Sequence, residues 1–206
     1  MIVTSVKEAG KGRWAVSLDG RAAFLLYRSE AARFGIALEA EISGETYRQI
    51  LEECLLKRAK ARSLYLLKSM DRTEAQMRGK LREWSYPEEV GEEVIRWLYS
   101  FHYLDDLRYA RSYVAQKNGV KSRMQLLRDL QARGVSRETA QEALSLEGEA
   151  DETELVRRWI EKKIPDPEEA GEKDVARLYQ FLLRRGFQPE DIRREMEGAG
   201  LALRKR

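Results

Sequence analysis

The stretch Ser122-Arg123-Met124-Gln125-Leu126-Leu127-Arg128-Asp129-Leu130-Gln131-Ala132-Arg133-Gly134-Val135 reads as one helix with both ends marked. Ser122 is an N-cap residue, and Gln125 three places on completes a capping-box pattern. Leu126 and Leu130 share a face that must be buried. Gly134 supplies the left-handed residue that stops the helix, and Val135 is the apolar entry to the next one. The same grammar recurs from Thr73 to Ile95 and from Asp174 to Met196. Eight positions after each cap stands Leu81, Leu130 or Leu182; five later, Tyr86, Val135 or Phe187; nine later, Ile95, Leu144 or Met196. A helix-turn-helix written three times at about fifty-residue intervals points to a helical-repeat protein that offers a partner an elongated surface.

The three copies differ in detail. Thr73 with Gln76 repeats the capping box, whereas Asp174 is expected to cap alone. Gly186 matches Gly134, but Ser85 stands in the first copy, at a higher cost for the same geometry, and leaves that turn open to another form. Pro87 and Pro189 sit near the next helix start, where a missing N–H costs little. A further helix precedes each pair: Thr46 to Met70, carrying the stripe Tyr47, Ile50, Leu51, Cys54 and Leu55; Asp105 to Asn118; and Glu149 to Lys163. Each repeat thus has three helices. Ile164-Pro165-Asp166-Pro167 is a rigid break, and Arg204-Lys205-Arg206 a frayed basic end.

The first forty-odd residues follow a different period. Ile2–Val6 and Trp14–Leu18 are β-rich, Asp19-Gly20 is a tight-turn signal, and Arg21–Tyr27 makes a third strand. Ser29 is expected to cap a short helix that Gly35 ends. The expected layout is a β-meander module at 1–44, then repeats at 45–104, 105–147 and 148–206, forming an elongated curved array.

Of 206 residues, 43% are hydrophobic and 35% charged, so real cores coexist with a highly charged surface. Lys and Arg outnumber Asp and Glu only 38 to 35, so distribution matters more than net charge. Bases dominate from Lys57 to Arg82 and from Arg108 to Arg137, and acids from Glu147 to Asp174. Arg72, Arg78, Lys80 and Arg82 occupy the same zone of the first repeat that Lys121, Arg123 and Arg128 occupy in the second, with Arg111 and Lys117 nearby. Lined up on one face, they would neutralise a phosphate track; the plainer alternative is a solvated helix surface. One cysteine, Cys54, rules out an internal disulfide and reads as packing. No signal-peptide run or membrane-length apolar segment is present, and a soluble cytoplasmic monomer is expected.

No catalytic set emerges. Asp105 and Asp106 are helix-start carboxylates that point apart and do not chelate alone. His102, the single histidine, reads as an interface residue, with Tyr103, Leu104, Tyr109 and Tyr113 forming a seam between the first two repeats. Ser63 and Ser69 lack a triad setting, and no phosphate-loop motif occurs. Trp84, Trp97 and Trp159 are placed for packing, with base stacking as the alternative. No metal, cofactor or enzymatic activity is expected.

The residues also resemble the RecX family. The resemblance rests on Tyr103-Leu104-Asp105-Asp106 with Tyr109-Ala110-Arg111, on Gly119 to Arg123 followed by Leu126, Leu130 and Arg133-Gly134-Val135, and on Phe181-Leu182 through Arg185-Gly186-Phe187. Leu18-Asp19-Gly20 with Phe24, then Phe34-Gly35-Ile36, is similar to the extension of longer members. The resemblance implies three tandem three-helix repeats that bind RecA, lodge in the groove of its filament on single-stranded DNA, and restrain filament growth, strand exchange and coprotease activity. It implies no catalytic residue. A DNA-binding transcription regulator, a metal-dependent nuclease using Asp105 and Asp106, and a helical scaffold are the rival classes.

Overall fold

The computed structural model of the chain describes residues 1–148 and 151–201. Glu149, the expected start of the third repeat's first helix, and Arg204-Lys205-Arg206 lie outside the described residues. Two compact units divide the chain, Met1–Asp105 and Asp106–Arg206.

The first unit begins with an antiparallel meander, β1 (Val3–Glu8), β2 (Arg13–Leu18) and β3 (Arg21–Tyr27), in the order β1-β2-β3. Asp19 (φ 47°) and Gly20 (φ 79°) make the two-residue hairpin, whose positive φ at both positions matches strand twist. Helix α1 (Arg28–Arg33) follows, but Ser29 does not cap it. The cap position is Tyr27, whose N–H donates to the Glu30 carboxylate at 2.8 Å, a stronger acceptor than a serine hydroxyl. Repeat 1 then opens with α2 (Gly44–Gln49), a π-helical segment Ile50–Leu56 and α3 (Lys57–Ser69), all continuous. Helices α4 (Glu74–Glu83) and α5 (Glu88–Ser100) complete it. The sheet is not a separate lobe. Val3, Val16, Phe24 and Leu26 share one core with Ile50, Leu55, Met77, Leu81 and Leu98.

In the second unit, repeat 2 comprises α6 (Asp106–Lys117), α7 (Arg123–Ala132) and α8 (Arg137–Leu146). Repeat 3 comprises α9 (Glu152–Lys163), α10 (Glu172–Arg184) and α11 (Pro189–Gly198). Each bundle keeps its own core. Around Leu126 and Leu130, the fully buried Ala110, Ala140 and Ala143 lack the bulk that would hold α6 and α8 apart. Repeat 3 fills its core with Ile160, Leu182, Phe187, Ile192 and Met196. Asp174 is not the cap of α10. Gly171 holds that position, and the helix starts a turn earlier, leaving Asp174 in its first turn where the helix dipole favours a carboxylate.

The repeated five-residue spacing has a single physical cause. Tyr86, Val135 and Phe187 donate their N–H groups back to the carbonyls of Leu81, Leu130 and Leu182 at 3.1, 3.1 and 3.4 Å. Ser85, Gly134 and Gly186 donate to Arg82, Gln131 and Leu183 at 2.8, 2.8 and 2.9 Å. This is the Schellman turn, which pairs the apolar residue after the turn with the one at the end of the helix. Ser85 adopts φ 60° and makes the same turn as its glycine counterparts, so the first copy does not differ. His102 (φ 55°) plays the same part after α5, with His102 and Tyr103 donating to Tyr99 and Leu98. It is an exposed turn residue. Leu104 is buried in the first unit's core, Tyr103 lies against Trp97 and Phe101, and Tyr109 and Tyr113 pack on the core of repeat 2.

A cation over an aromatic face fastens each turn to the first helix of its repeat. Arg133 lies 4.5 Å from the Tyr113 ring and Arg185 4.2 Å from Trp159. In repeat 1 the partners are exchanged: Trp84 sits at the turn and Arg62 covers it at 4.0 Å.

Ser85→Gly is expected to stabilise the first unit by about 0.5–1 kcal/mol, the left-handed penalty less glycine's extra unfolded-state freedom. Urea unfolding followed by Trp84 and Trp97 fluorescence checks this; a lower midpoint would show that the serine side chain stabilises the turn by another route.

Candidate nucleic-acid interface

The cations singled out from the sequence lie on α4, α6 and α7 or, for Arg72 and Lys121, just before α4 and α7, and most are held by their own neighbours. On α4, Arg78 is clamped between Glu74 (2.6 Å) and Glu92, and these hydrogen bonds raise its pKa and lower that of Glu92. Lys80 pairs with Glu83 at 2.6 Å. Arg111 on α6 pairs with Glu147 at 2.7 Å. Lys121 binds both Asp129 and the Tyr113 hydroxyl. Among the described residues, Arg72, Arg82, Lys117 and Arg128 stand outside ion pairs, with Arg82 and Arg128 exposed. Arg72 is half-buried and its Nε has no hydrogen-bond partner.

Two of these basic positions, Arg123 and Arg128, coincide with the joint between repeats 2 and 3. The Ser122 hydroxyl accepts the Gln125 N–H at 3.1 Å, as an N-cap should, and also donates to the Arg185 carbonyl at 2.5 Å. The Arg123 N–H donates to Glu152 at 2.5 Å, and its guanidinium reaches the Leu144 carbonyl at 3.3 Å. Arg128 reaches the Arg184 carbonyl at 3.4 Å. Gly186 fits against this joint without a side chain. A Cβ there would lie 2.7 Å from Met124 Cβ and 3.2 Å from Ser122 Oγ.

Part of the acidic stretch is likewise engaged inside the unit. Asp151 caps α9 through the N–H groups of Thr153 and Glu154, and Glu154 pairs with Arg157 and Arg158. Asp105 and Asp106 stand at the start of α6. Among the described residues no group of three or more His, Cys, Asp or Glu could hold a metal ion. No helix there is long and apolar enough to cross a membrane. Trp84, Trp97 and Trp159 pack at the edges of their cores, each under a cation. Sequence analysis missed that Arg62 and Tyr65 of α3 face the N-terminal sheet across a groove; the spacing Arg58, Arg62, Tyr65 on one helix stripe was the available signal.

Tandem three-helix bundles, joined by capped turns, define a helical-repeat protein. Models of the first, second and third three-helix domains of RecX match residues 59–98, 105–144 and 150–196. The regulatory protein RecX of Caldanaerobacter subterraneus subsp. tengcongensis is 27% identical over 95% of this chain and 98% of its own length. That of Trichlorobacter lovleyi is 33% identical over 66% of this chain and 91% of its own. A crystal structure of a regulatory protein RecX shares the fold, with a TM-score of 0.64 at 24% identity over 92% of this chain and 96% of that one. The chain belongs to the RecX family, a family of regulatory proteins.

Two outcomes follow for the second unit. Gly186→Ala is expected to cost roughly 2–4 kcal/mol, left-handed strain plus overpacking, against about 1 kcal/mol for Gly119→Ala, which has the strain alone. Gly119 also has positive φ (+74°), but its Cβ would meet nothing within 4 Å. Equal losses in thermal unfolding would mean the joint yields freely. The second outcome concerns Asp129. Burial raises its carboxyl, but hydrogen bonds from Lys121 and Tyr113 and the charges of Lys121 and Arg133 outweigh it, so the folded pKa is depressed. Its stabilisation is therefore present above the ordinary value of about 3.9 and lost as pH falls through the folded value. Asp129→Asn should lower stability at pH 7 and flatten its acid-side decline; an unchanged slope in melts from pH 7 to pH 3 would exclude this carboxylate as a contributor.

Proposed function

We propose that this chain binds the RecA filament on single-stranded DNA and restrains its growth, ATPase, strand exchange and coprotease activities. The observation that carries the reading is the succession of three RecX three-helix domains along one chain. Repeated bundles give repeated weak contacts, and linked contacts on a periodic partner multiply into useful affinity. Arg72, Arg82, Lys117 and Arg128 are the members of the expected basic set left outside ion pairs, and they are the ones assigned to the filament's phosphates. Arg78, Lys80, Arg111, Lys121 and Arg123 are held within their own units by ion pairs and by the repeat joint. The molecule acts in the cytoplasm, as a monomer, without cofactor and without chemistry of its own.

The test is the ATPase of RecA on single-stranded DNA with the chain added. A dose-dependent fall at substoichiometric amounts is expected, and a flat response would end the filament reading. Arg82→Glu with Arg128→Glu should weaken the inhibition and reduce its log–log salt slope by about one to two. Inhibition and slope both unchanged would remove the basic face from the contact.

A further inference from the structure

The N-terminal sheet and repeat 1 enclose a groove of about 480 Å³. Lys11 and Arg13 from the β1–β2 hairpin, Tyr27 at the end of β3, and Arg58, Arg62 and Tyr65 from α3 line it, with the Trp84–Tyr86 turn completing the wall. No carboxylate is among the lining residues. A cavity of about 560 Å³ in the second unit is different, because Lys121, Arg123 and Arg137 there face Asp151, Glu152 and Asp191.

The hairpin is folded to present its cations. Gly10, Lys11 and Gly12 all have positive φ (70°, 55° and 69°). Ala9 donates to the Arg13 carbonyl at 2.8 Å and Arg28 to the Gly12 carbonyl at 3.2 Å, which pins the loop beside β3. Arg58 is neutralised by Glu30 and lies 4.5 Å from the Tyr27 ring. Lys11, Arg13 and Arg62 make no ion pair among the described residues, and the Arg13 Nε is buried without a hydrogen-bond partner. A buried guanidinium nitrogen left unbonded is costly unless a ligand supplies the acceptor. Beside these charges, Tyr65 is 80% exposed and Tyr27 43% exposed. Large rings held in water next to unpaired cations match the surfaces that stack bases and bind phosphates together.

We infer that this groove seats a single strand of nucleic acid, with Tyr65 and Tyr27 stacking on unpaired bases and Lys11, Arg13 and Arg62 binding phosphate oxygens. A duplex keeps its base faces stacked on each other, so the rings select the single strand. The inference deepens the filament reading and rests on it for the source of that strand.

The test uses the full chain without recombinase and a fluorescently labelled oligothymidylate, read by anisotropy against a duplex of the same length and inorganic polyphosphate of equal charge. The single strand is expected to bind more tightly than either competitor. Tyr65→Ala should weaken it by ~5- to 150-fold, the range for one stacked base, without changing the salt slope. Lys11→Gln with Arg13→Gln should reduce that slope by about 1 to 1.5. Wild-type chain that ignores the oligonucleotide, polyphosphate that binds as tightly, or an unchanged Tyr65→Ala affinity would each overturn the proposal. If the chain lowers RecA ATPase yet ignores the oligonucleotide, the groove fails and the filament reading stands. Oligonucleotide binding with no effect on RecA has the opposite meaning.

Discussion

Everything in the helical part of this protein depends on one turn. A backbone N–H reaches back five residues, from Tyr86, Val135 or Phe187, to the carbonyl of Leu81, Leu130 or Leu182. That bond satisfies a carbonyl the helix end would otherwise leave open, and it brings two apolar side chains together over the turn. Direction of the third helix, burial of the second, and the meeting of the two in one core all follow. The residue between must take positive φ, which explains Gly134 and Gly186 and shows what Ser85 tolerates. The arginines before the glycines, Arg133 and Arg185, have their own part, since each covers an aromatic ring of the preceding helix.

Several of the charges singled out in the sequence are matched by nearby partners. A composition with 35% charged residues invites a picture of open basic and acidic faces. Side-chain geometry shows instead short-range pairs along and between helices, such as Arg78 with Glu74 and Glu92, and Arg157 with Glu195 at 3.0 Å. Exposed pairs of this kind stabilise little, about 0–1 kcal/mol each, but they remove cations from the set able to meet a polyanion. Of the cations singled out above, Arg72, Arg82, Lys117 and Arg128 on the repeats, and Lys11, Arg13 and Arg62 around the groove of the first unit, stand outside such pairs.

The N-terminal sheet contributes to both stability and recognition. Its inner face belongs to the core of repeat 1, so the first unit cannot form its core without it. Its β1–β2 hairpin supplies two of the cations of the groove. By contrast, repeats 2 and 3 keep separate cores and meet through polar contacts, the Ser122 hydroxyl on Arg185 and the Glu152 carboxylate on the Arg123 amide. Such contacts are directional, and they set a defined angle where apolar packing alone would leave a choice.

The sequence by itself determined the elements that local chemistry controls. Thr73 and Ser122 cap, Asp19-Gly20 turns, Gly134 and Gly186 stop their helices, and the leucine spacing marks the buried faces, because each signal acts within a few residues. Where two local signals competed, the reading failed: Glu30 displaced Ser29 as the organiser of α1, and Gly171 started α10 a turn before Asp174. Only tertiary structure decided which charges are free, since Glu92 lies fourteen residues from Arg78 and Glu147 thirty-six from Arg111. It alone brought the β1–β2 hairpin to α3, a pairing across about fifty residues that no periodicity encodes. Caps and turns are short-range and can be read from spacing; ion pairs and grooves depend on where the packed cores place distant side chains.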